Sequence, residues 1–495
     1  MVDQAQIDAL RHLPVPPKGH LIDGVVCVAE NGRTLDVISP LNGSVLTTIA
    51  AGTRADADRA VASARAAFED GRWRKMAPQQ RKKIMLKWAD LIDKEALELA
   101  VLGIRDNGTE IGMALRAEPG SASGTLRYYA ECIDKLYGEI APTAPEFLGL
   151  VHHEPVGVVA AIVPWNFPLM IGTWKLGPAL AVGNSVVMKP SEMASLTLLR
   201  IAELALEAGV PPGVFNVVTG EGTEVGAALS ESMDVDVIVF TGSGGTGRRL
   251  LQASAASNLK RCYLELGGKS ANIVFADAPN LKEAAKVSAA GIFRNSGQVC
   301  VAGSRLLVER SVHDAFVEEL AKAASAIKIG DPLDLGTGAG AINNAAQLDR
   351  NLEFVATAQA EGGKLVQGGK RILAETGGYF MEPTIVTHVE LGHTLAQNEV
   401  FGPVLAVTAF DTEEEAIRLA NSTEFGLAGG VWTSDLSRAH RMIHAMRTGV
   451  VHVNTYGGPD VTVPMGGTKQ SGNGHDKSLH AFDKFVNLKT AWIKL

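Results

Sequence analysis

Cysteine is scarce: only Cys27, Cys132, Cys262 and Cys300 occur in 495 residues, and no two of them form a CxxC pair. That pattern excludes a disulfide framework and a thiolate zinc site, so no metal is expected, and it suits a reducing compartment. Positive charge is also in short supply. With 46 Lys and Arg against 54 Asp and Glu the formal net charge is -8, which gives a polyanion such as nucleic acid no purchase. The amino terminus lacks the basic start and apolar run of a secretory signal, and no uninterrupted apolar run approaches the roughly eighteen residues of a membrane span. A cytoplasmic protein without membrane contact is the expectation. What is present is ordinary for a globular chain: 46% hydrophobic and 20% charged residues, with length for about three units of roughly 150 residues each.

Short β-type runs punctuated by Asn31-Gly32 and Asn42-Gly43 predict small strands between Cys27 and Ile49. Thr53 and Asp56 have capping-box spacing ahead of Ala57, Val61, Ala64 and Phe68 at helical intervals; Pro78 opens a second helix with Ile84, Trp88 and Leu91 on its buried face. Continuous apolar runs then appear at residues 156–163, 185–188, 214–218, 235–240 and 261–266, of the kind that parallel strands buried on both faces require. Helical stretches separate them, the clearest being 194–208, which Gly209, Pro211 and Pro212 stop. This alternation predicts a doubly wound α/β domain, and runs at 271–275, 304–309, 404–410, 429–433 and 450–454 predict a second one. Residues 485–494 read as a strand with no obvious partner nearby, expected to pair across a subunit boundary.

The stretch GIFRNSGQVCVAGSR, residues 291–305, sets Cys300 among small and amide side chains. A buried thiol usually fills core. Asn295, Ser296 and Gln298 would be odd core filling, however, and Gly297 lets backbone approach closely. A thiol with the ordinary pKa of about 8.5 is only a few per cent thiolate near neutrality, so a nucleophilic Cys300 needs donors and a base from elsewhere. Three motifs offer them at predicted strand ends, where α/β sites collect. In FTGSGGTGR, residues 240–248, Gly242, Gly244 and Gly247 fit GxGxxG, which suits a phosphate at a helix start; a plain glycine-rich turn is the alternative. PWNFP at 164–168 places Asn166 where its amide can donate to an oxyanion, and Lys189 with Glu192 can bracket a ribose. Glu265 falls near the position of the fingerprint's acidic ribose contact.

Together PWNFP, KPSE, FTGS, ELGGKS at 265–270, GQVC and NEVFGPV at 398–404 resemble, in order and over nearly the whole chain, the aldehyde dehydrogenase superfamily. Within it, YAECIDKLYGEIA at 129–141, LSRAHRM at 436–442 and KQSGNG followed by DKSLHAF resemble γ-glutamyl-γ-aminobutyraldehyde and guanidinobutyraldehyde dehydrogenases of polyamine and arginine breakdown. The resemblance implies an α/β fold with a Rossmann-type NAD-binding domain (1–136 and 156–266), a second α/β catalytic domain (267–470) and a small β oligomerisation element (137–155 and 480–495). A homotetramer is implied, with a dimer as second choice.

It further implies that Cys300 attacks the aldehyde, that Asn166 and the Cys300 backbone N–H hold the thiohemiacetal oxyanion, and that hydride transfer to NAD leaves a thioester. Glu265 then activates water, which makes it the general base and not the ribose contact. The implied cofactor contacts are Ile162, Pro164, Trp165, Lys189, Glu192, Gly222, Phe240, Gly242, Ser243, Leu266, Glu399 and Phe401. A carboxylate at Glu192 repels a 2'-phosphate, so NAD is favoured over NADP.

The implied substrate mouth comprises Phe167, Met170, Trp174, Val299, Val301, Asp460 and Met465. Met465 stands where the family usually has Phe, and softens that mouth. His475 stands where Arg is frequent, and falls outside the chemistry. Asp460, after Pro459, either pairs with the cationic tail of an ω-amino or guanidino aldehyde or serves as a turn residue. Rival readings are a broad-specificity aliphatic or aromatic aldehyde dehydrogenase and a CoA-acylating one, which has no need of Glu265. A cysteine hydrolase would need a histidine beside Cys300, and no motif contains one.

Overall fold

Strands buried on both faces build the first sheet of the computed structural model, which describes residues 2–458 and 460–495 and leaves Pro459 outside. Val158–Ile162, Ser185–Lys189, Phe215–Val217, Val237–Thr241 and Arg261–Glu265 run parallel. Every residue of the first two is buried, as helices on both faces demand. Val158–Ile162 lies between Ser185–Lys189 and Val237–Thr241, so the strand order reverses there and opens a crevice at the carboxyl ends. Two antiparallel strands, His20–Ile22 and Val25–Cys27, extend the far edge.

The second sheet is also mostly parallel. Thr384–Thr387, Val404–Phe410, Arg305–Glu309, Ala271–Val274, Ala428–Trp432 and Val450–Val453 follow one another across it, with Lys364–Gln367 antiparallel at one edge. Thr384–Thr387 and Lys364–Gln367 were not expected from sequence, because four-residue runs give little periodicity. One apolar cluster includes Val159 and Val237 of the first sheet and Val274, Leu306 and Val407 of the second, so a shared core holds the two together.

Local signals carry through where they are chemical. Thr53 caps Arg54–Asp70, its hydroxyl accepting from the Asp56 N–H while the Asp56 carboxylate accepts from the Thr53 N–H at 3.0 Å. Gly209 ends Leu196–Ala208 at φ 111°, where glycine is unstrained. The helix Pro78–Lys94 corrects one expectation: Arg81, Met85, Trp88, Ala89 and Ile92 are its fully buried stripe, and Ile84 and Leu91 lie at the margins. The face turns because Arg81 can be buried, its guanidinium donating to the carbonyls of Met76 at 2.8 Å and Arg74 at 3.1 Å.

A three-stranded sheet stands beside these. Val486–Lys494 pairs antiparallel with Phe147–Pro155, from Val486 opposite Pro155 to Lys494 opposite Phe147, and Glu139–Ala141 takes the other side. The closing strand therefore has a partner within its own chain, which corrects the expectation that none lay nearby; the partner is remote only in sequence. Trp492 stacks on Phe147 with ring centroids 5.2 Å apart. Among the described residues, no helix is long and apolar enough to cross a membrane.

Candidate active site

The loop that carries Cys300 is held by its own amide groups. Helix Leu281–Phe293 ends, and Asn295 (φ 47°), Ser296 (φ 51°) and Gly297 (φ 74°) turn the chain back through the left-handed region. Such a run is strained for non-glycine residues and persists only where side chains over-determine it. Thr109 Oγ1 donates to Asn295 Oδ1 at 2.8 Å, Ser296 Oγ donates to the Gly340 carbonyl at 2.8 Å, and Gln298 Oε1 accepts from the Asn343 N–H at 2.8 Å. A Cβ on Gly297 would lie 2.1 Å from the Gly402 carbonyl oxygen, so glycine is obligatory. The polar run is thus scaffolding that fixes the thiol.

Cys300 is part of the wall of two cavities. One, of about 390 Å3, is bounded by Asn166, Glu265 and Cys300, with Pro164, Trp165, Gly242, Ser243, Leu266, Glu399 and Phe401 around it. The other, of about 430 Å3, is bounded by Phe167, Met170, Trp174, Val299, Val301, Asp460 and Met465. Ile162, Glu192 and Gly222 line a third, of about 930 Å3. Helix Gly244–Ala256 separates the first from the third, presenting Gly245 and Arg248 to one and Thr246 and Arg249 to the other. Ser243 caps that helix, accepting from the Thr246 N–H at 3.3 Å.

Two expected cofactor contacts lie outside these walls. Lys189 is buried, its ammonium donating to Glu192 Oε2 at 3.1 Å and to the Pro190 carbonyl at 2.9 Å, so it can act by orienting Glu192. Phe240 sits in the core behind the glycine turn, where a Cβ on Gly242 would approach its ring at 2.4 Å.

Asn166 Nδ2 donates to the Gln298 carbonyl at 2.8 Å, which anchors the amide and leaves its second hydrogen. Glu265 is buried, and its Oε1 has no hydrogen-bond partner among the described residues. Burial raises its pKa well above the usual carboxylate range, and the anionic Asp476 adds to this. Asp476 is the residue that sequence reading missed. It lies buried between Lys175 and Lys484, both hydrogen-bonded to it. Burial opposes its ionisation, yet the two ammonium groups overcome that and hold its carboxyl down at about 2. Lys175 comes from helix Pro168–Val182 and Lys484 from the short turn Leu479–Lys484, so no local spacing announces the cluster. His475, beside it, is exposed, and Met465 is buried, exchanging backbone hydrogen bonds with Asp476 at 2.8 and 2.6 Å.

Glu399 Oε1 accepts from the Gly268 N–H at 3.0 Å, and burial pushes its carboxyl up to about 7. Phe401, at φ 57°, meets the Trp165 ring edge-on with centroids 5.3 Å apart. Asp460 is exposed and accepts from the Thr462 N–H at 2.9 Å, which gives the turn role a direct partner. No histidine borders either cavity at Cys300 among the described residues, which argues against a cysteine hydrolase. Nor do those residues contain a group of three His, Cys, Asp or Glu side chains that could hold a metal ion.

Burial pushes the Cys300 thiol up to about 12, helped by Glu399 and Glu265, while the backbone N–H groups of Val301 and Cys300 pull the other way. The resting thiol is therefore protonated at neutral pH, and its ionised fraction grows about tenfold per pH unit below that value. Alkylation of Cys300 by iodoacetamide in the unliganded protein should accordingly climb through the alkaline range without levelling off. A plateau near neutrality, followed by peptide mass analysis, would show a thiolate already formed at rest.

The whole chain is similar to proteins of known kind. Escherichia coli (strain K12) NADP/NAD-dependent aldehyde dehydrogenase PuuC is 50% identical over 474 residues, 96% of this chain and 95% of that protein. The crystal structure of indole-3-acetaldehyde dehydrogenase complexed with NAD+ superposes with a TM-score of 0.98 at 51% identity, covering 100% of both chains. That of γ-glutamyl-γ-aminobutyraldehyde dehydrogenase from Burkholderia cenocepacia J2315 gives a TM-score of 0.97 at 48% identity, again over 100% of both. Residues 27–491 match the aldehyde dehydrogenase family, and with the site laid out as above the chain belongs to it.

Proposed function

We propose that the protein oxidises an amine-derived aldehyde to its carboxylic acid with NAD, through a thioester on Cys300. The observation that carries this reading is the placement of Cys300 in the wall of two cavities, with Asn166 and Glu265 facing the same one. The residues present fit the cofactor. The cavities flanking the amino end of Gly244–Ala256 suit the two halves of a dinucleotide around its pyrophosphate, and the backbone amides there favour an anion. Glu192, steered by Lys189, would take the adenosine ribose; Ser243 and Gly242 the pyrophosphate; Glu399 and Phe401 the nicotinamide end. The Glu192 carboxylate disfavours a 2'-phosphate, so NAD is preferred over NADP. NAD, when bound, supplies the hydride acceptor.

The chain's own residues do the rest. Once its thiol proton has passed to solvent, the Cys300 sulfur attacks the aldehyde carbon, and the second Asn166 amide hydrogen with the Cys300 N–H stabilises the oxyanion; losing one such donor costs on the order of a hundredfold to a thousandfold in turnover. After loss of hydride the carbon is a thioester. Glu265, a stronger base for being buried, takes a proton from the water that cleaves it. NADH production across aliphatic, aromatic, ω-amino, guanidino and γ-glutamylamino aldehydes tests the reading, and the product separates it from CoA acylation: free acid supports it, acyl-CoA overturns it.

The domain division at residues 137–155 and 267, with the three-stranded sheet as the assembly element of a cytoplasmic homotetramer, belongs to the same proposal. Leu488, Trp492 and Ile140 are exposed on that sheet, apolar surface of a kind that subunit contacts cover. Deleting Val486–Lys494 should uncover the edge of Phe147–Pro155 and give monomer or aggregate on a sizing column. An unchanged elution mass would remove the strand from the assembly.

A further inference from the structure

The aldehyde-side cavity holds more positive charge than its apolar walls explain. Arg116, Arg294 and Lys477 border it, and Asp460 is the sole carboxylate there among the described residues. Asp460 is exposed and its charge acts on Lys477, so the two arginines remain in excess.

Arg294 stands out by what it does not touch. It caps the end of helix Leu281–Phe293 in the Cys300 loop, and its side chain is half-buried on the cavity wall. Among the described residues it makes no hydrogen bond and no ion pair. Arg305, which is buried, is treated in the ordinary way, donating to the carbonyls of Lys269 at 2.9 Å and of Leu419 and Ala420 at 2.8 Å. A half-buried guanidinium on a cavity wall with no acceptor from the protein is open to one that enters the cavity. Arg116, more exposed, opens the short π-helical turn Arg116–Gly120 on the same cavity and is likewise without a hydrogen bond or ion pair among the described residues. Such turns concentrate at functional sites.

We propose that Arg294, with Arg116 beside it on the cavity wall, binds a carboxylate at the far end of the aldehyde substrate. The preferred substrates are then ω-oxo acids, or aldehydes carrying an amino-acid head, ahead of ω-amino and guanidino aldehydes. A guanidinium matches a carboxylate in a two-pronged, charge-assisted pair, whereas a cationic tail in this cavity meets like charge. The inference rests on the aldehyde dehydrogenase reading and narrows it. Arg294 has one competing role, stabilising the Cys300 thiolate, and that role would affect every aldehyde alike.

The test pairs substrates of equal length: succinic, glutaric and adipic semialdehydes against butanal, pentanal and hexanal, with NADH formation as readout. Wild type should favour the semialdehyde of at least one pair in kcat/KM. In Arg294→Met the ratio of semialdehyde to alkanal should fall about 10- to 100-fold, mainly through KM, the scale expected for a charge-assisted pair, and Arg294→Lys should recover part of it. Arg116→Met should lower the same ratio less. Lack of preference in wild type, measured without any variant, overturns the inference while leaving the dehydrogenase intact. An unchanged ratio in Arg294→Met, with the pH profile of Cys300 alkylation displaced, overturns it in favour of the thiolate role. NADH from none of the aldehydes, with NAD still bound, overturns the dehydrogenase reading itself and this inference with it.

Discussion

Cys300→Ala should abolish aldehyde-dependent NADH formation while NAD binding, followed by quenching of tryptophan fluorescence, stays largely intact. The thiol sulfur is the atom that becomes bonded to the substrate carbon, and an alanine methyl cannot take its place. Nothing else on the cavity walls can substitute, since no second cysteine borders them among the described residues. Cofactor affinity should survive because the cavities around helix Gly244–Ala256 are built by Glu192, Gly222, Ser243 and their neighbours, with Cys300 only at one extremity. Turnover within about tenfold of wild type would be incompatible with covalent catalysis at this residue, where loss of a nucleophile costs far more.

Glu265→Gln should behave differently. Its amide keeps the shape of the carboxylate but accepts no proton at neutral pH, so acylation of Cys300 proceeds and hydrolysis of the thioester does not. A rapid burst of NADH approaching one equivalent per site, followed by turnover reduced on the order of a hundredfold or more, is the expected trace, matching the scale of general-base catalysis. The buried position supports this: with Oε1 unpartnered, Glu265 has no competing structural duty among the described residues. Steady turnover at the wild-type rate with no burst would move the base to another residue.

Much of the fold was legible because parallel strands buried on both faces leave continuous apolar runs, and 185–188 or 404–410 cannot easily be read otherwise. Cys300, Asn166 and Glu265 were legible because each sits in a short motif. The Lys175, Asp476 and Lys484 cluster was not, since its members are ordinary charged residues singly and become a buried triad only by tertiary packing. His475, one position away, lies on the exposed side of the same segment. Arg294 was not legible either, because a cation at a helix carboxyl end has a routine dipole explanation. Only its missing partners set it apart. The closing strand's partner was hidden by distance along the chain, which loop-closure physics tolerates well.

The fit of Gly297 against Gly402 has a genetic corollary. A Cβ on Gly297 would run into the Gly402 carbonyl, and one on Gly402 would meet the Asn351 side chain at 2.2 Å. Three stretches remote in sequence are thus stacked with no slack, and Glu399 and Phe401 ride on the middle one. In a screen of random variants, changes at residues 295–298 should therefore score as defects in dinucleotide use as often as defects in aldehyde choice. Second-site suppressors should arise near 351 and 402, and seldom in the aldehyde-side wall.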